Sequence, residues 1–279
     1  MAMTGSLQNN LAATGFNAAT QSIGVNIISG AIADSGKTLG QAVVLDAGCG
    51  GGHYSKALIG RVGQIDAVDI SNAQLAIAHR RLADEALDGR IRFHHCDIQA
   101  LPFPDNHFDG VMANQVLSHL ETDDNEKYAL HSRVLGEFFR VLRRGSACVL
   151  NCTTQTQLRE SFWHYNLIPD ALEAYLPRIV PSARLVELLH AAGFVFEGRT
   201  VPLDALLIGN RHFEPTGPLD PSWRRVDPVW TTATMHQIGN AEERLRAMQR
   251  EEELDHYLAK LDDRRPRVGQ CTFFVARRP

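Results

Sequence analysis

The residues best arranged to do chemistry lie early in the chain, in Val43-Val44-Leu45-Asp46-Ala47-Gly48-Cys49-Gly50-Gly51-Gly52-His53. An apolar run leads into an acid and then a cluster of glycines ahead of helix-forming residues. Glycines at the carboxyl end of a first strand let the backbone approach a nucleotide-like ligand, in the crevice where open α/β sheets bind one. Two ligand classes fail on spacing. The dinucleotide fingerprint needs Gly or Ala three positions beyond Gly50, where His53 stands, which disfavours a nicotinamide oxidoreductase. The nucleotide-triphosphate loop needs a Lys-Ser or Lys-Thr after the glycines, and none follows. What remains is D-x-G-x-G-x-G.

Side chains able to move a proton are scattered further along: His119, His164 and Tyr165, with His53 beside the glycines. Cys148 and Cys152 share one face of a strand with Leu150, and Cys152 falls at its carboxyl end, where a thiol could hold a soft ligand. Buried structural thiols are the plainer expectation for the same pair.

The elements that must carry these groups alternate from residue 42 onward. AVVLDAG, QIDAVDI, IRFHHCD, FDGVMANQ and SACVLNCT read as five strands, GFVFEGRTVPL as a sixth and GQCTFFVARR as a seventh. The last is expected antiparallel at the sheet edge. Between them the pattern predicts a short helix over Tyr54 to Val62 and a second helix capped by Ser71. A third starts near Asp124, places Leu135, Phe138, Phe139 and Leu142 on one stripe and stops at Gly145, and another covers Ser182 to Ala192. This rhythm is that of a doubly wound α/β fold with a seven-stranded, mostly parallel sheet. Two parts fall outside it. Residues 1–38 hold an expected helix from Asn17 to Ala33 that could cover a ligand. Residues 204–268 form an insertion before the last strand, with a Pro-rich loop and a charged helix opening at Asn240 and capped with Glu243, read as a cap beside the site. The core is then 39–203, closed by the strand in 269–279.

The glycine stretch with its acid resembles the first motif of the class I S-adenosylmethionine-dependent methyltransferases. Asp69 ends the second strand about twenty residues on, where a carboxylate can accept hydrogen bonds from both ribose hydroxyls. Asp97-Ile98 matches the family's adenine contact at the end of the third strand. The stretch Leu101 to Val111, then Asn114 to Leu120, resembles the fourth strand and its approach, and Glu137 to Gly145 the following helix and turn, with Arg-Gly-Ser where Pro-Gly-Gly is usual. The resemblance covers roughly residues 40 to 200 and is nearest the ubiquinone/menaquinone-biosynthesis-like small-molecule methyltransferases. It implies a Rossmann-like methyltransferase fold and S-adenosyl-L-methionine as cofactor, held by Asp46, Gly48, Cys49, Gly50, Asp69, Ile70, Asp97, Ile98 and Asn114. It also implies methyl transfer to a small-molecule acceptor, with His119, His164 and Tyr165 as catalytic candidates. The segment Glu160 to Pro169 would then line the acceptor. Two alternatives stay open: a trivalent arsenical as acceptor, although the expected cysteine has no counterpart among residues 53–64, and a cofactor-binding protein of this fold without methyl transfer.

Composition narrows the partners. A formal net charge of -4 leaves no basic surplus for a phosphate backbone, so nucleic acid is a poor substrate. No signal peptide or membrane-length apolar run is found, five cysteines show no CxxC pair, and no metal-ligand spacing stands out. A cytoplasmic monomer or homodimer is the expectation.

Overall fold

A computed structural model describes residues 23–34, 36–120 and 128–279. They divide into two compact units. One comprises residues 24–152, 180–200 and 272–279; the other, among the described residues, comprises residue 23, 153–179 and 201–271.

The first unit is built on seven strands: β1 Val43–Ala47, β2 Gln64–Asp69, β3 Ile91–His95, β4 Phe108–Asn114, β5 Leu142–Cys152, β6 Val195–Thr200 and β7 Thr272–Arg277. Their order across the sheet is β3-β2-β1-β4-β5-β7-β6. The pairs from β3 to β5 are parallel, while β7 runs antiparallel to both β5 and β6. The doubly wound, mostly parallel sheet expected from the apolar rhythm is therefore present. The last strand is antiparallel, as expected, but it is not the edge. Phe273, Phe274 and Ala276 are buried between two neighbours, while β6, with exposed Val195 and Glu197, takes the rim. Alternating polarity in GFVFEGRT marks an edge better than the nearly continuous apolar run of β7 does.

Five helices flank the first five strands of this unit: α1 Val25–Ala33, α2 His53–Leu58, α3 Asn72–Arg81, α4 Ala83–Leu87 and α5 Ala129–Val141. Ser71 caps α3 as anticipated, its hydroxyl accepting from the Gln74 amide at 3.3 Å. Helix α5 buries Val134, Leu135, Phe138 and Val141 against the sheet. It ends at Val141 rather than Gly145, because Leu142 is already extended and paired with Phe108 of β4. The beginning expected near Asp124 falls outside the described residues. Of the helix expected over Asn17 to Ala33, Val25–Ala33 is seen, preceded by Gly24 in a left-handed conformation, and 17–22 lie outside the described residues. Its buried Ile28 and Ile32 dock on the sheet. A Cβ on Gly110 of β4 would come within 2.7 Å of Ile32, so this glycine permits the close approach.

The second unit is helical. After β5 come α6 Gln155–Glu160 and α7 Pro169–Tyr175; α8 Ser182–Ala191 returns to the sheet unit and packs beside α5 and β6. Between β6 and β7 follow α9 Pro221–Arg224, α10 Met235–Arg250, α11 Leu254–Asp262 and α12 Arg265–Val268. Residues 153–179, read from sequence as part of the core, thus fold with the insertion. Gln270 ties the two segments: its amide accepts from Leu207 N at 2.7 Å and donates to the Ser161 carbonyl at 2.9 Å. Helix α10 opens at Met235, five residues before the expected start. Thr234 and Gln237 form its capping box, the Gln237 amide donating to the threonine hydroxyl at 3.2 Å and Thr234 N to the glutamine side chain at 2.8 Å.

Candidate active site

At the carboxyl end of β1 the chain turns through Gly48, Gly50 and Gly52, all with positive φ. The Gly48 and Cys49 amides both donate to the Val68 carbonyl at 2.9 Å, folding the turn back against β2. A Cβ on Gly48 would lie 2.6 Å from Val116, and one on Gly52 2.8 Å from Leu82, so neither position has room for a side chain. The Arg81 guanidinium donates to the Gly51 carbonyl and holds the turn from α3.

Two carboxylates stand at this turn. Asp46 is buried, with Ser55 Oγ donating to it at 2.6 Å. Burial pushes its carboxyl up from 3.8 to about 7 against that hydrogen bond, and the nearby Asp69 charge adds to the rise. The native state therefore keeps this proton where the unfolded chain has lost it. Between about pH 4 and 7 the Asp46 contribution to stability should fall as pH rises, with a slope approaching about 1.4 kcal/mol per pH unit. Asp46→Asn should remove that component, which urea unfolding at several pH values in this window would read. Parallel pH dependences in the two proteins would contradict the assignment.

Asp69, at the end of β2, has one carboxylate oxygen on the Gly50 amide and the other on the Ser71 amide, both at 2.8 Å. Its carboxyl is raised by burial, with the two amides and the nearby His119 and His95 opposing the rise. A carboxylate accepts about four hydrogen bonds, so two amides leave capacity for a diol. Ile70, next in sequence, is 67 % exposed, an apolar side chain presented at the strand end. Beyond β3, Asp97 closes a turn on the Gln99 amide at 2.9 Å and Ile98 is buried behind it.

On the other side of β1, Asn114 ends β4. Both its side-chain Oδ1 and Nδ2 are buried without a hydrogen-bond partner among the described residues. An unsatisfied buried amide costs roughly 1–3 kcal/mol, so this one marks a place for a polar ligand group. Gln115 follows with φ 57, its amide donating to the Asn151 carbonyl at 2.7 Å. His119 lies exposed on the turn Leu117–His119, which buried His131 braces through the Leu117 carbonyl at 3.0 Å. Further back, Glu137 and Arg140 of α5 clamp the loop into β4. Leu101 N donates to Glu137 at 2.7 Å, and Arg140 donates to the Leu101 and Phe103 carbonyls.

The structure thus brings Asp46, Gly48, Cys49, Gly50, Asp69, Ile70, Asp97, Ile98 and Asn114 to the ends of β1 to β4, with His119 in electrostatic reach of Asp69. His164 and Tyr165 sit in the helical unit instead, and their surroundings correct the catalytic expectation for them. His164 is fully buried, with Trp163, Tyr165 and Trp223 edge-on at 5.6, 4.5 and 4.9 Å. Its Nδ1 accepts from Trp230 Nε1 at 3.2 Å, and burial drives its pKa far down, so the nitrogen a base would use is already spent. Tyr165 donates to buried Asp227 at 3.1 Å, which also receives the Val229 and Trp230 amides. Both residues hold the aromatic core of their unit. Cys148 is buried among the sheet's apolar side chains, its thiol pushed up by burial. Tyr54, Ser55, Arg81 and Asn151 escaped the sequence reading; only Tyr54 and Ser55, one and two residues past His53, carried a positional hint.

Residues 45–150 match the methyltransferase domain family. Residues 45–150 therefore form a methyltransferase domain. The chain is 33 % identical over 141 residues to a ubiquinone/menaquinone biosynthesis C-methyltransferase of Cellvibrio japonicus, an alignment covering 50 % of this chain and 51 % of the relative. The chain therefore spans about half the length of that curated relative. Among solved structures, a protein of Anabaena variabilis described as a methyltransferase from an antibiotic biosynthesis pathway superposes with TM-score 0.69 at 19 % identity, covering 90 % of this chain and 96 % of its own. A geranyl diphosphate C-methyltransferase of Streptomyces coelicolor, solved with Mg2+, its substrate and S-adenosyl-L-homocysteine, gives 0.51 at 14 % identity over 91 % of this chain and 78 % of its own. Both share the fold of the methyltransferase domain. Among the described residues, no cluster of metal-ligating side chains is found, and no helix is long and apolar enough to cross a membrane.

Proposed function

We propose that this protein transfers a methyl group from S-adenosyl-L-methionine to a small-molecule acceptor. The observation that carries the proposal is the Asp69 carboxylate, held by the Gly50 and Ser71 amides at a strand end where a glycine turn excludes side chains. Residues present there suit the cofactor. Asp69 would take the ribose hydroxyls, exposed Ile70 and buried Ile98 would face the adenine with Asp97, and the unsatisfied Asn114 amide would meet a polar end. Asp46, Gly48, Cys49 and Gly50 shape the turn. When bound, the cofactor supplies an electrophilic methyl on a sulfonium, so the protein's main task is to orient the acceptor and keep water out.

His119 is the proposed proton acceptor where the nucleophile needs one, since it is exposed on a braced turn near Asp69. A small organic acceptor agrees with the geranyl diphosphate bound by one structural neighbour and with the net charge of -4, which gives nucleic acid no purchase. The test is incubation with methyl-labelled cofactor and a fractionated small-molecule extract. Label should appear in a low-mass, acid-stable product and not in protein or nucleic acid. Label in a macromolecular fraction would overturn the acceptor class, and tight cofactor binding with no transfer to any fraction would favour a non-methylating protein of this fold.

A further inference from the structure

The turn that carries His119 is braced more heavily than a surface turn requires, and the role given to its braces rests on the reading of His119 as proton acceptor. On its amino side stands Gln115, whose φ of 57 is a left-handed backbone that residues with a Cβ rarely adopt. Asn151 of β5 holds it there. The Asn151 carbonyl accepts the Gln115 amide at 2.7 Å, and its Oδ1 accepts Gln115 Nε2 at 3.2 Å. Val116 packs on Gly48, so closely that a Cβ there would come within 2.6 Å of it. From below, His131 of α5 donates through Nε2 to the Leu117 carbonyl at 3.0 Å.

His131 is the costly member of this set. Its ring is fully buried, with Tyr128 edge-on at 5.5 Å. Burial lowers its pKa, against the bond to Leu117, so the imidazole is neutral. Donation to the carbonyl places its single proton on Nε2 and leaves Nδ1 as an acceptor. That nitrogen is buried without a hydrogen-bond partner among the described residues. An apolar side chain would avoid the penalty, as Val134, Leu135 and Phe138 do on the same helix. What histidine adds is one directed N–H on the turn. Strained backbone and unpaired buried nitrogen are both features that collect at functional sites, and here they bracket the residues leading to His119.

We propose that His131 is a positioning residue for His119, setting the turn through the Leu117 carbonyl while Asn151 sets it through Gln115. His131 exchanges no proton with the acceptor, because its ring is enclosed and its N–H is committed. It fixes the backbone two residues before His119, which keeps that imidazole in electrostatic reach of Asp69. Losing the brace should slow transfer and leave cofactor affinity unchanged.

The test uses the full chain, methyl-labelled S-adenosyl-L-methionine and the low-mass extract fraction to which the wild type transfers label. Wild type, His119→Gln, His131→Leu and the double variant are compared for transfer rate at saturating cofactor, and for S-adenosyl-L-homocysteine affinity by calorimetry. His119→Gln should slow transfer about 100-fold, the order expected of a lost general base. His131→Leu should slow it about 10-fold through misplacement of that base, with affinity unchanged. The double variant should be no slower than His119→Gln alone, because His131 acts only through His119. His131→Gln, whose Nε2 can donate to the same carbonyl, should recover most of the rate. If His131→Leu fails to fold, Gln115→Gly takes its place in the same comparison, since glycine adopts the left-handed backbone freely but releases the Asn151 side chain. Losses that multiply in the double variant, a parallel fall in affinity, or an undiminished rate in His131→Leu would overturn the proposal. Full rate in His119→Gln would remove the base on which it rests, and no transfer by the wild type to any fraction would bring down the methyl-transfer reading itself.

Discussion

Asp69→Ala should lower affinity for S-adenosyl-L-homocysteine by 100-fold or more, on the order of 3 kcal/mol, while the chain still folds. The carboxylate has two tasks at once. It anchors the glycine turn through Gly50 and the start of α3 through Ser71, and it faces the place proposed for the ribose. Two charge-assisted hydrogen bonds to a diol are worth about 1.5–3 kcal/mol each, and truncation removes both along with the anchor of the turn. Folding should survive, since Gly48 and Cys49 keep their bonds to the Val68 carbonyl and Ser71 still caps α3. Asp69→Asn should fall between, because it retains an acceptor but loses the charge. Calorimetry on the three proteins, with far-ultraviolet circular dichroism as the control on folding, checks the order. Undiminished binding by Asp69→Ala would detach this residue from the ligand.

Gly48→Ala should destabilise the fold by roughly 2–4 kcal/mol and weaken cofactor binding as well. Its φ of 74 costs an L-residue about 1–2 kcal/mol, and the new Cβ would sit 2.6 Å from Val116 Cγ2 and 3.0 Å from Cγ1. Valine is stiff about χ1, and its escape would disturb the turn that carries Leu117 to His119. The two terms separate in a cycle. Val116→Ala placed beside Gly48→Ala should relieve the contact and recover roughly half the loss, leaving the backbone term. Urea unfolding of the four proteins measures this. A double variant as unstable as the sum of its parts would show that the contact with Val116 contributes nothing.

The sheet and the gathering of glycines and acids at the ends of β1 to β3 were legible because each depends on short-range patterns. Apolar runs of period two and one marked the strands, and the glycines and acids recur at three successive strand ends where ligands bind in this architecture. Ser71 announced its helix by type alone. The failures are equally specific. Gly145 looked like a helix stop, but Leu142 had already been claimed by pairing with Phe108, a tertiary preference that local sequence does not carry. Thr234 and Gln237 were a readable capping box, eclipsed by the more acidic pattern at Asn240 and Glu243. His164 and Tyr165 looked chemical because histidine and tyrosine are versatile; only Trp223, Trp230 and Asp227, about 60 residues distant in sequence, surround them as part of an aromatic core. Asn151 was invisible for the same reason, since its bond to Tyr54 spans 97 residues and leaves no local trace.

The most direct measurement is titration of the unmodified chain with S-adenosyl-L-homocysteine, with NAD as the comparison ligand. Saturable binding at one site per chain, at micromolar concentrations or below, is expected, with no heat from NAD, whose fingerprint is interrupted at His53. No binding of S-adenosyl-L-homocysteine, or tighter binding of NAD, would contradict it.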